Sequence, residues 1–103
     1  MVARRRSSAR QRALVVEQDA GVRAVVRDVL RGRGYAVHAV SSRAEGFDLM
    51  DRLAPALLFL DDPARERARR LVRLDPAGTP DVVLADDVRP EMIRAWLEEA
   101  LSA

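Results

Sequence analysis

Ala13-Leu-Val-Val16 is a short, unbroken apolar run of the kind that is buried on both faces in a parallel sheet. Asp19 follows as a helix cap. Val22, Val25, Val26, Val29 and Leu30 then recur at helical spacing, one apolar face with Arg23, Arg27 and Arg31 on the other. Gly32 and Gly34 end that helix, one of them in the left-handed position beyond the last turn. Tyr35 to Val40, rich in β-branched and aromatic residues, predicts a second strand. Ser42-Arg-Ala-Glu45 is a capping box, and it opens a helix expected to bury Ala44, Phe47, Met50 and Leu53. Pro55 stops that helix, and Ala56 to Leu60 is the third strand. Ala64 to Leu74 predicts a further helix, with Ala68, Leu71 and Val72 inward and the arginines outward. Asp75 to Pro80 is a dense turn signal, and Val82 to Ala85 is the fourth strand. Pro90 suits the first position of a last helix, whose apolar stripe is Met92, Ile93, Trp96, Leu97, Ala100 and Leu101.

Strands alternating with helices predict an α/β protein, a parallel sheet with helices on both faces. Binding and chemistry in such sheets sit at the carboxyl ends of the strands. Those ends are acidic here: Glu17-Gln18-Asp19 after the first strand, Asp61-Asp62 after the third, Asp86-Asp87 after the fourth. Carboxylates converging from neighbouring strand ends suit a hard cation such as Mg²⁺. An aspartate at such a junction also caps the helix that follows, and Asp19 and Asp62 fit either role.

Composition narrows the class. The chain has 103 residues, one domain's worth, with 49% apolar and 33% charged residues, the balance of a globular protein rather than a disordered or membrane chain. Its longest apolar run, Ala54 to Leu60, falls far short of the ~20 residues that span a bilayer, and no apolar signal segment follows the N-terminus. The expected location is the cytoplasm. The absence of cysteine excludes a disulfide scaffold and any thiolate metal site. The single histidine, His38, reads as a half-buried sheet residue and builds no zinc site alone.

The 18 basic residues are all arginine, against 16 acids. Arg4, Arg5, Arg6, Arg10 and Arg12 stand in residues 1–12, which hold no acid, so a basic tail precedes a mildly acidic body at 13–103. Such a tail reads either as a solvated leader or as a contact with nucleic acid or an anionic surface. It has no aromatics for base stacking and no apolar face for lying on a membrane.

In this order and spacing the body resembles the receiver domain of bacterial response regulators. Leu14-Val-Val-Glu-Gln-Asp19-Ala-Gly-Val-Arg23 is similar to that family's first strand, acidic cluster and helix start. Arg33-Gly-Tyr35-Ala-Val37 looks like its approach to the second strand. Pro55-Ala-Leu-Leu-Phe-Leu-Asp61 looks like its third strand, ending in the phosphoacceptor aspartate. Pro80 to Ala85 resembles its fourth strand, and Arg89-Pro90 its lysine–proline pair. The resemblance implies a flavodoxin-like fold. It also places Mg²⁺-binding carboxylates at Glu17 and Gln18, the acceptor at Asp61, the switch hydroxyl at Ala85 and the lysine at Arg89.

Several of these parts are altered. Glu17 is one methylene too long, Gln18 has lost its charge, Ala85 has no hydroxyl, and Arg89 replaces a point charge with a bulkier fork. The family's fifth strand and fourth helix are also missing, since only Asp86 to Arg89 separate the fourth strand from the last helix. The simplest product is a four-stranded sheet of order 2-1-3-4.

The expected function is therefore a phosphorylation-independent, non-catalytic module that regulates by binding a protein, with no cofactor. One alternative is a phosphoacceptor that uses Asp61 with Glu17 and a divalent metal. Another is a nucleic-acid or membrane-surface accessory acting through the tail. Apolar surface is expected around Val82, Leu84 and the last helix, giving a possible homodimer contact at Met92 and Trp96.

Overall fold

The computed structural model describes residues 10–62, 65, 68–74, 81–85 and 88–102. Five strands form one sheet in the order β2-β1-β3-β4-β5, where β1 is Arg12–Val16, β2 Ala36–Val40, β3 Leu57–Asp61, β4 Arg69–Arg73 and β5 Asp81–Ala85. β1 pairs in parallel with both β2 and β3, and β4 runs antiparallel to both β3 and β5. The chain is thus an α/β protein with an open, mostly parallel sheet, and its first three strands have the 2-1-3 order of flavodoxin-like folds. The helices are α1 (Ala20–Gly32), α2 (Arg43–Leu53) and α3 (Ile93–Ser102), the last led by a 3₁₀ turn at Pro90–Met92.

The helix predicted over Ala64 to Leu74 is corrected: Arg69–Arg73 is a strand, inserted between the two strands expected to be neighbours. Ala68, Leu71 and Val72 have helical spacing, but Arg69-Arg-Leu-Val-Arg73 also alternates. Leu71 is fully buried on one face, and Arg70 lies on the other, half-exposed. In so short a segment the two periods are both readable, and pairing with β3 and β5 decides between them. The turn read at Asp75 to Pro80 and the acids Asp86 and Asp87 lie outside the described residues.

One face of the sheet carries the core. Ala13, Val15, Leu57, Phe59 and Leu71 meet Val22, Val26, Val29 and Leu30 of α1 and Ile93, Leu97 and Ala100 of α3. Trp96 is half-buried there, edge-to-face with Phe59 at a centroid distance of 6.4 Å. Gly34, at φ 95°, makes the left-handed turn that sends the chain from α1 into β2. Arginines tie down the C-terminal carbonyls of α3: Arg33 Nη2 donates to Glu98 O, and Arg73 Nη2 to Ala100 O and Leu101 O.

Among the described residues, α2 is the one helix on the other face. Ala44 and Phe47 are exposed, Phe47 by 66%, while Met50 and Leu53 are half-buried, so the first half of the expected inward line of this helix is corrected. Gly46 is the buried residue, and a Cβ there would stand 2.6 Å from Val16 Cγ2. At Gly46 the helix lies so close to β1 that even a methyl group would collide with the Val16 side chain. Gly46→Ala is therefore expected to lower stability by about 1–3 kcal/mol in urea unfolding, although alanine is by itself the better helix former.

Val82, 47% exposed, belongs to the α2 face, while α3 packs on the opposite one. The patch expected to join Val82 to the last helix is therefore not one surface. Met92 is 54% exposed, and the side chain of Leu84 lies outside the described residues. His38 is exposed on β2 rather than half-buried. No helix among the described residues is long and apolar enough to cross a membrane.

Candidate functional site

A cleft of about 880 Å³ opens at the carboxyl edge of the sheet, where strand order reverses about β1. Val16 to Asp19 line it from the end of β1, Ser41 to Arg43 from the start of α2, and Asp61 and Asp62 from the end of β3. Arg69, the first residue of β4, and Pro90 complete the wall. Because β4 is antiparallel to β3, its beginning lies beside the end of β3, and that is how Arg69 reaches this edge.

Glu17 is 1% exposed and Arg69 7% exposed. Arg69 Nε lies 2.7 Å from Glu17 Oε1, an ion-pair contact rather than an aligned hydrogen bond. Its Nη2 donates to Oε2 at 3.4 Å, and the Asp19 N–H donates to the same oxygen at 3.1 Å. Burial pushes the Glu17 carboxyl above its usual 4.5 and the nearby Asp61 carboxylate adds to this, while the Asp19 N–H and the Arg69 guanidinium pull against it. Arg23 Nη1 donates to the Glu17 carbonyl at 2.9 Å and fixes the backbone below the cleft.

The remaining acids have separate duties. Asp19 is the N-cap of α1, its Oδ1 accepting from the N–H groups of Gly21 and Val22 at 2.9 and 3.0 Å. Asp62 donates its N–H to Ala68 O, its carbonyl accepts from the Arg65 N–H, and its carboxylate pairs with Arg70 at 3.4 Å. Asp61 Oδ2 accepts from the Gln18 N–H at 3.4 Å, and its carbonyl accepts from Arg43 Nη2 at 2.6 Å. Among the described residues no three acid or histidine side chains converge to hold a metal ion. Glu17 and Asp61, the pair that would bind Mg²⁺, fit it poorly, because Arg69 takes both oxygens of Glu17.

The positions matched to the family's switch residues lie elsewhere. Ala85 is paired with Arg69, and Arg69 with Asp61, so a whole strand stands between Ala85 and the aspartate it was expected to neighbour. Arg89 is exposed and does not line the cleft. Of the tail residues, Arg4 to Arg6 lie outside the described residues and Arg10 is exposed. Arg12 opens β1 and donates to Leu53 O at 3.1 Å, so it belongs to the fold.

Arg43 and Arg69 went unread in the sequence as parts of this site. Arg43 sits inside the capping box, and the alternation of Arg69-Arg-Leu-Val-Arg73 is the signal that could have placed Arg69 at a strand start.

No family model matches the chain, and no curated protein or solved structure matches it either. What the fold and cleft define is an open-sheet α/β domain whose carboxyl-edge pocket holds its own buried cation.

Proposed function

We propose that this protein is a non-catalytic regulatory module of bacterial signalling, a receiver-like domain that works in the cytoplasm by binding a protein partner and needs no phosphorylation. The observation that carries this reading is the buried Glu17–Arg69 pair. Phosphoryl transfer to a carboxylate depends on neutralising the charge of the incoming group, which Mg²⁺ does when carboxylates hold it in place. Here Glu17, the buried carboxylate beside Asp61, is occupied by a guanidinium, and the charges of that pair cancel each other. With Gln18 uncharged and Ala85 a whole strand away, neither position supplies Asp61 with the charge or the hydroxyl that phosphoryl transfer uses.

Intact-mass analysis after incubation with acetyl phosphate and Mg²⁺ is expected to show the unmodified chain. Beryllofluoride with Mg²⁺ is expected to leave the Trp96 emission unchanged. Saturable binding of the mimic that Asp61→Asn abolishes would make the protein a working phosphoacceptor and overturn the reading.

A further inference from the structure

β2 is the edge of the sheet beside β1, and among the described residues no strand lies beyond it. The connections outside the described residues, 63–64, 66–67, 75–80 and 86–87, all follow β3, β4 or β5, on the far side of the sheet. The Ala36 N–H donates to Gln11 O and the Glu17 N–H to Val40 O, so Ala36, His38 and Val40 turn their backbone groups toward β1. Alternation then turns the N–H and C=O of Val37 and Ala39 outward, two donors and two acceptors facing away from the sheet. Charges, prolines and bulges keep a further strand off an edge, and β2 has none of the three: its register with β1 runs unbroken from Ala36 to Val40.

α1 gives this edge a charge. Val22, Val26, Val29 and Leu30 turn down to the sheet, and Val25, on one flank, packs into the core where α3 lies. At about 100° per residue, Arg27 stands about 200° round the helix from Val25, on the opposite flank. The right-handed β1–α1–β2 connection carries that flank over β2, and Arg31 follows one turn later. Arg27 is half-buried with its Nε unpartnered, Arg31 is exposed, and neither enters an ion pair among the described residues. The two are separated by about 6 Å along the helix, and alternate residues of a strand by about 6.6 Å. A strand laid along β2 can thus offer carboxylates at i and i+2, one to each guanidinium. A second copy of the chain fits badly, because pairing β2 with itself about a two-fold axis sets the arginines of the two α1 helices against each other. Residues 1–9 hold three arginines and no acid, so they offer no counter-charge either.

We infer that the free edge of β2 takes up an extended acidic segment of a partner protein as a sixth strand, its backbone on Val37 and Ala39 and its carboxylates, two residues apart, on Arg27 and Arg31. The inference rests on the interaction-module reading and gives the partner its chemistry.

The test uses the full chain at low ionic strength and a fluorescent synthetic peptide of roughly nine residues, with glutamates at alternate positions and valines or threonines between them. A second peptide carries lysines in place of the glutamates. Two more keep the acidic sequence, one N-methylated on the glutamates and the other on the residues between. Anisotropy is expected to show saturable binding of the acidic peptide, weakened about tenfold or more in one methylated form and little changed in the other, since only one alternate set of amides faces β2. Arg27→Glu with Arg31→Glu is expected to reverse the preference between the acidic and basic peptides. The methylated peptides test the parent chain itself, whatever the double variant does to the fold. Absence of saturable binding, equal binding of the two methylated peptides, or a preference that the arginine variant leaves unchanged overturns the inference. So does sedimentation that shows the parent as a dimer and Ala39→Pro as a monomer, because a second copy then fills the edge. None of these results depends on beryllofluoride, so the failure of the strand site and the failure of the phosphorylation-independent reading are separately visible.

Discussion

Arg69→Ala is expected to cost the fold about 3–5 kcal/mol at neutral pH, measured as a lower urea midpoint, the range found when one partner of a buried ion pair is removed. With Arg69 gone, Glu17 remains 1% exposed in the wild-type surroundings, with no cation to hold its charge. It escapes by keeping a proton, at about 1.4 kcal/mol for each pH unit between its usual pKa and the solution. The direction with pH follows from this. A buried acid whose folded pKa is raised contributes stability fully present below its usual value of 4.5 and lost as pH rises through the raised one. Burial already raises Glu17 in the parent, and loss of Arg69 raises it further, so the deficit of the variant should grow from acid to neutral pH. A deficit independent of pH would show that Arg69 acts by packing alone. Replacing both partners, Glu17→Leu with Arg69→Met, is expected to restore stability to within about 1–2 kcal/mol of the parent, because no unpaired charge is then buried.

Phe59→Ala should be as severe, about 3–5 kcal/mol, for a different reason. The ring is fully buried at the centre of the sheet and meets Trp96 edge-to-face, joining β3 to α3. Truncation removes the largest of the fully buried side chains and leaves a cavity that the strand backbone cannot collapse to fill. Trp96 reports on it directly: its emission should shift to the red in the folded variant as water gains access. Gln18→Ala, at an exposed position on the cleft wall, is the matched control and should stay within about 0.5 kcal/mol of the parent. A red shift without loss of stability would mean that Phe59 shields the indole but does not hold the core.

The N-terminal half of the fold was legible because its local signals agree with its tertiary placement. The unbroken run at Ala13 to Val16, the cap at Asp19 and the valine stripe of α1 each specify one structure. Past Asp61 that agreement ends. Arg69 to Arg73 carries both periods at once, and only the free edge of β3 makes it a strand. The site suffered from the same ambiguity. Its acids could be found at the strand ends, but the cation that neutralises Glu17 stands on the segment read as a helix, and its partner lies 52 residues away in the chain. For α2 the difficulty was distance: the apolar pattern favoured Phe47 as the inward residue, whereas the close approach to Val16 leaves room only for Gly46.

The insertion of β4 also sets an order of assembly. Asp61 meets Arg69, and Arg73 meets Asp81, across short stretches of chain, so β3, β4 and β5 form a meander that closes with little loss of loop entropy. Ala13, by contrast, must find Leu57 after α1, β2 and α2 have been laid down between them. Local pairings form sooner than distant ones. The C-terminal meander is thus the locally paired part of the sheet, and Arg69 stands on it. Glu17 follows the strand whose pairings are distant, so the buried ion pair ties the two parts of the sheet together across 52 residues of chain.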